Sequence, residues 1–198
     1  MTNVWSRFSA AAFALIALPA LGAPVVYQID SRHTFPSFEA DHFGGLSTWR
    51  GKFNSTSGRI VMDTAAQSGT IEVKIDAASI DFGLEDMNKH AKSPDMFDVE
   101  KYPTIDYVGK LAGFQDGRPT RVEGELTMHG ITKPVTLTID RFKCMKHPFN
   151  GKEVCGANVV GKLNREDFGI AYGKNLGFHM DVDLEIQVEA VREDGETS

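Results

Sequence analysis

The residues able to do chemistry are few, and the six histidines come first: His33, His42, His90, His129, His147 and His179. A zinc site needs three or four converging ligands. No HxH or HExxH occurs, and no spacing brings such a set together, so no metal is expected. Asp86 and His90 stand at i and i+4, where a helix would place both on one face. A carboxylate beside an imidazole can act as a general-base dyad, but such a pair is more often a structural hydrogen bond. There is no GxSxG elbow and no glycine-rich phosphate loop. No catalytic residue is assigned on this basis. His33, His42, Asp86 and His90 suit a different use, as the polar mouth or lid of a site whose ligand carries a head group. Histidines that merely satisfy backbone groups in a core are the plainer alternative.

The two cysteines, Cys144 and Cys155, form no CxxC, so a thioredoxin-like motif is absent. Between them lies Pro148-Phe149-Asn150-Gly151, where proline presets φ and glycine tolerates positive φ. If these four residues are the loop of a hairpin, Lys152 lies opposite His147. Counting back along the ladder then sets Cys155 opposite Cys144. Cross-strand neighbours come within disulfide reach. A bridge here is expected, contributing ~3 kcal/mol on the loop-entropy model.

The elements that must carry these residues have a period of two almost throughout. From Phe178 to Ala190 the even positions are apolar (Phe178, Met180, Val182, Leu184, Ile186, Val188, Ala190) and the odd ones polar. That is a long strand with one wet face. The pattern recurs at Ile71, Val73 and Ile75, at Val122, Leu126 and Met128, at Val135, Leu137 and Ile139, and at Ala157, Val159, Gly161 and Leu163. Val25 to Asp30, Thr34 to His42, Trp49 to Asn54 and Arg59 to Asp63 are further strand candidates. Pro36 implies an edge position or a bulge in the second of these. An edge there would offer pairing between two subunits, and so a homodimer. Turn signals at Gly44-Gly45, Asp116-Gly117, His129-Gly130, Asn150-Gly151 and Gly173-Lys174-Asn175 separate the runs. One stretch departs from the rhythm: Leu84, Met87, Asn88 and Ala91 have helical spacing and Pro94 ends it, predicting one short inserted helix.

The fold class expected is therefore all-β, an antiparallel barrel of about eight strands rather than a sandwich. Such a barrel is just wide enough to be filled by side chains or to hold one small ligand. Inward Gly124, Ala157 and Gly161 could leave a slot among larger neighbours, although the same pattern also describes a solid core.

Residues 1–23 read as a secretory signal peptide: Arg7, then the short apolar run Phe8 to Leu18, then small residues around Ala20 and Gly22. The run is well short of the ~20 apolar residues that span a bilayer. Without Arg7 the remaining chain has 20 basic and 27 acidic residues, a net −7. An acidic surface argues against a nucleic-acid partner. Residues 24–191 then form one domain, and 192–198 a polar tail.

The ordered motifs resemble the YceI-like polyisoprenoid-binding proteins over Tyr27 to Ala190. Tyr27-Gln28-Ile29-Asp30 with His33-Thr34 opens the likeness, and Gly51-Lys52-Phe53 and Gly58-Arg59-Ile60 follow. The set around the helix comprises Asp86, His90, Ser93, Pro94-Asp95-Met96-Phe97-Asp98 and Tyr102-Pro103. Leu126 to Val135 and Leu163 to Ile170 complete it. The resemblance implies a lipocalin-like barrel with an isoprenoid or other long-chain lipid inside. It also implies a bacterial periplasmic setting. Transient membrane contact is expected of such a carrier, and no cofactor beyond the lipid itself. It transfers no catalytic residues. Alternation and resemblance together make Phe38, Phe53, Ile71, Val73, Ile75, Met87, His90, Phe97, Leu126, Met128, Leu137, Met180, Val182 and Leu184 the lining candidates. Two other readings stay open: a lipid-modifying enzyme that uses Asp86 and His90, and a packed stress or interaction protein with no ligand.

Overall fold

A computed structural model describes residues 23–193. The expected signal segment, apart from its last residue, lies outside this range, as does most of the expected tail. Eleven strands form one antiparallel sheet. They are β1 (Val25–Ile29), β2 (Phe35–His42), β3 (Ser47–Phe53), β4 (Thr56–Asp63), β5 (Ser68–Asp76), β6 (Ile80–Asp81), β7 (Thr104–Ala112), β8 (Arg121–Met128), β9 (Ile131–Lys146), β10 (Glu153–Asn164) and β11 (Asp181–Arg192). One α-helix, α1 (Glu85–Lys92), is inserted between β6 and β7.

These eleven strands merge into eight staves. β1 and β2 run end to end along β11, with Tyr27–Ile29 opposite Ala190–Arg192 and Phe35–Ala40 opposite Val182–Gln187. β3 and β4 likewise form one bent stave, broken at Asn54-Ser55, against β2 and β1 respectively. β5 and β6 form the next, against β4 and β3. From β5 the sheet meanders through β7, β8, β9 and β10 to β11. Pairing of β1 with β11 closes the barrel, which leaves no long open edge there.

Alternation explains the walls. Along β7, Ile105, Tyr107 and Leu111 are buried, whereas Lys110 and Val108 face outward. The predicted Cys144–Cys155 hairpin forms in the expected register, with Cys155 opposite Cys144 and the disulfide made. Above it, a one-residue register shift at Asn158/Val159 marks a bulge that sets the inward row of β9 as Ile139 and then Phe142.

Four expectations are corrected. The Phe178–Ala190 run begins its ladder only at Asp181, because Phe178 turns back to bond the Gly173 carbonyl at 3.1 Å. Arg192 belongs to β11 rather than to a tail. Pro36 does not lie on an edge strand: β2 is flanked by β11 and β3, and Pro36 sits opposite Ile186 just below the last β3 pair, Ser37 with Lys52. The edge expected to pair two subunits is thus occupied. Finally, inward Gly124 and Gly161 leave no slot. A Cβ at Gly161 would lie 2.7 Å from Leu137 Cδ2, and one at Gly124 would lie 2.7 Å from Tyr107 Cζ.

Gly124 instead gives Tyr107 somewhere to lie. The phenol rests over that glycine and donates to the Val135 carbonyl at 2.9 Å. This keeps the ring against the wall. The same Cβ would stand 2.5 Å from the Val108 carbonyl oxygen and 2.8 Å from the Gly109 Cα, contacts that cannot relax cheaply. Gly124→Ala is therefore expected to destabilise the barrel by about 1–3 kcal/mol, read from chemical denaturation.

Candidate functional site

The barrel interior is not filled. Inward-facing Phe38, Ile71, Val73, Leu184, Ile186 and Val188 are only partly buried, although strands wall them in on both sides. They face a cavity of about 410 Å³ that runs down from one end of the barrel. Ligand pockets typically span ~300–1,000 Å³. Its walls are almost wholly hydrocarbon and aromatic.

Of the expected lining residues, Phe38, Phe53, Ile71, Val73, Ile75, Met87, His90, Phe97, Leu126, Met128, Leu137, Val182 and Leu184 border this cavity, as does His42. Met180 does not; it is buried just outside the ladder. His33 does not either. It lies at the bend between β1 and β2, where its Nδ1 meets the Asp30 carboxylate at 2.8 Å. Asp86 is exposed and no hydrogen bond joins it to His90. Glu85 and Asp86 occupy the first turn of α1 and Lys89 and Lys92 the last, where each charge complements the helix dipole. His90 packs its ring on Tyr172 with centroids 4.5 Å apart, and its Nε2 is enclosed without a partner. An imidazole nitrogen sealed in this way is placed neither to take a proton from a guest nor to bond it.

The β2–β3 and β10–β11 connections make the mouth together with a lid, the β6–β7 segment that carries α1. Asp81 and Asn88 hold the lid: Asn88 Nδ2 donates to Asp81 Oδ1 at 3.0 Å, and Asn88 Oδ1 accepts from the Phe82 amide at 2.7 Å. Ala91, fully buried, seats the helix. Phe82 and Phe53 then pack edge-on against Phe38 and Phe97 respectively, as the upper wall. Arg165 closes the opposite side. It is 9 % exposed, and its guanidinium donates to the carbonyls of Ile170 and Tyr172 at 3.0 and 2.7 Å. Burial lowers its pKa from the usual arginine value, opposed by Asp41 and Glu166. Its role is to shape the loop.

Asp41 fastens the rim. Its carboxylate accepts from the amides of Gly44 at 2.8 Å, Gly45 at 2.6 Å and His179 at 2.9 Å, joining two loops. Those backbone bonds, His179 foremost, hold its pKa below the ordinary 3.8. A carboxylate with a depressed folded pKa contributes stability that is present above the unfolded value and lost as pH falls through the folded one. The Gly44, Gly45 and His179 amides are therefore expected to lose hydrogen-exchange protection only below pH 3.8. In Asp41→Asn that acid transition should be absent.

Sequence reasoning missed part of the lining: Ile105 and Tyr107 on β7, and Phe82, Arg165 and Tyr172 in the connecting segments. The Ile105/Tyr107/Leu111 alternation was available as a signal; the loop residues had none.

A closed antiparallel barrel with an apolar lumen open at one end is the class of protein defined by this fold and cavity. The YceI-like domain model matches residues 27–190, and the chain belongs to that family. A UPF0312 protein of Pseudomonas putida strain GB-1 is 34% identical over 171 residues, covering 84% of this chain and 86% of the relative. Among solved structures, the Campylobacter jejuni YceI protein is 28% identical with a TM-score of 0.64, covering 75% of this chain and 88% of that one. A polyisoprenoid binding domain from Saccharophagus degradans shares the fold at 15% identity and a TM-score of 0.60, covering 85% of this chain and 99% of that one.

Proposed function

We propose that this protein carries or stores one long apolar lipid, an isoprenoid such as a quinone or a polyprenyl phosphate, within the barrel. The observation that supports this reading is the partial exposure of inward-facing side chains around a hydrocarbon-walled cavity of about 410 Å³. A packed core would leave those side chains fully buried. The described binding of polyisoprenoid by the Saccharophagus degradans neighbour agrees with it. Each five-carbon unit buried contributes up to ~4 kcal/mol at roughly 0.8 per carbon. Ordering of the flexible chain offsets much of this. Useful affinity therefore needs several units, which suits a deep lumen.

Charge is scarce inside: Asp41, His42, His90 and Arg165 are the acidic and basic lining residues, and they lie toward the mouth. The head group accordingly sits at the mouth and the tail runs down the barrel. A periplasmic location is part of the proposal, on the strength of the signal-like leader and the Cys144–Cys155 bridge, since disulfides persist in oxidising compartments. So is transient contact with a membrane. Phe43, Leu46, Leu84, Tyr172 and Leu176 are 50, 75, 51, 43 and 55 % exposed, and all lie in the segments between strands at the mouth. Exposed apolar clusters of this kind mark interaction sites.

Native mass spectrometry of the protein purified from its own host tests the reading. The expected spectrum shows one added mass per chain, released by organic solvent and matching a lipid with an isoprenoid tail. Repeated recovery of the bare chain alone would count against it.

A further inference from the structure

Below the main cavity lies a second, smaller void of about 60 Å³. The two share four lining residues: Ile71, Val122, Val159 and Val188. On each of their strands these are the lowest residues of the upper cavity, so together they mark the boundary between the two voids. Ile71 is on β5, Val122 on β8, Val159 on β10 and Val188 on β11. The adjoining position on β7 is Gly109, paired with Ile71. It has no side chain, and a Cβ there would stand 2.9 Å from Val122 Cγ1. Val122 thus leans into the space that residue 109 leaves. Beneath this ring the second void is lined by buried Met62, Leu111, Cys155 and Ala190.

We propose that the two voids are successive compartments of one tunnel, that the Ile71/Val122/Val159/Val188 ring is the constriction between them, and that the lower compartment sets the longest tail the protein accepts. The inference rests on the lipid-carrier reading. The tail must point downward because the acidic and basic lining residues, Asp41, His42, His90 and Arg165, are confined to the mouth. Its end then meets a ring of aliphatic groups rather than a wall. Three of the four are valines, whose short branched side chains move by whole rotamers. Past them the space is small, about 60 Å³, so few further units fit beneath the ring.

The test is a ladder of polyprenols differing by one isoprene unit, titrated against wild type, Ala157→Phe and Leu111→Ala. Ala157 lines only the lower compartment, so the phenylalanine should fill it and leave the main cavity intact. The expected result is that A157F binds the longest polyprenol held by wild type about tenfold or more weakly, with shorter members within about twofold. Leu111→Ala enlarges the same compartment from the floor and should move the length limit the other way, which keeps the test decisive if A157F fails to fold. An unchanged length limit in a folded variant overturns this inference while leaving the carrier reading intact. A wild-type protein that binds no polyprenol of any length overturns both.

Discussion

Tryptophan at both Val73 and Leu184 is expected to abolish lipid binding while the barrel still folds. Both side chains point inward, both border the cavity, and both keep solvent-accessible surface despite their place in the wall. Where such residues already interlock, added bulk forces strain of about 1–3 kcal/mol per site. In a hollow lumen the indoles have somewhere to go, and the strain should be small. The guest fares differently. Excluding a single five-carbon unit forfeits up to ~4 kcal/mol, and even half of that weakens binding more than tenfold. Two indoles in the tunnel should remove at least one unit's length, so a loss of roughly 30-fold or more is expected. Thermal melting and lipid binding must be read together. Unchanged melting with lost binding is the signature of a filled tunnel, whereas a large fall in melting temperature would mean that the space was never empty.

The second large effect is on stability. Cys144 and Cys155 close a loop of sequence separation 11 at the end of the barrel opposite the mouth. The chain-entropy model assigns such a loop ~3 kcal/mol, through restriction of the unfolded chain. For a domain of this size each kcal/mol moves the midpoint by ~2–4 °C. The Cys144→Ser/Cys155→Ser pair should therefore melt roughly 6–12 °C lower, and wild type with reductant should follow it. Because Cys155 also lines the lower compartment, the double variant separates two roles. Lipid affinity should stay within about threefold at temperatures where the variant is folded, as expected if the bridge fastens the floor without touching the main cavity.

Much of this architecture was legible from alternation. The apolar positions of β5, β8 and β11 become cavity wall, and counting back from Pro148–Gly151 places the disulfide in its observed register. The failures have physical causes. β7 passed unnoticed because its pattern is blurred: outward Val108 is 58 % exposed, and inward Gly109 has no side chain to register. Gly124 and Gly161 looked like a slot, but glycine in a strand also marks close approach by a neighbour, and Tyr107 and Leu137 fill those spaces. Asp86 and His90 share helical spacing, yet the exposed carboxylate serves the helix end and the imidazole turns to Tyr172. The mouth was the least legible part. Arg165 and Tyr172 sit between β10 and β11 without periodicity, and only the folded chain brings them to the rim.

Calorimetric titration of a polyprenol into the delipidated protein tests the central claim most directly. A lumen that swallows an apolar chain predicts saturation at one molecule per protein with a strongly negative heat-capacity change, the mark of apolar burial. Heat that fails to saturate, or saturation without that heat-capacity change, would mean the lipid only coats the outside, and the account of an internal tunnel would be wrong.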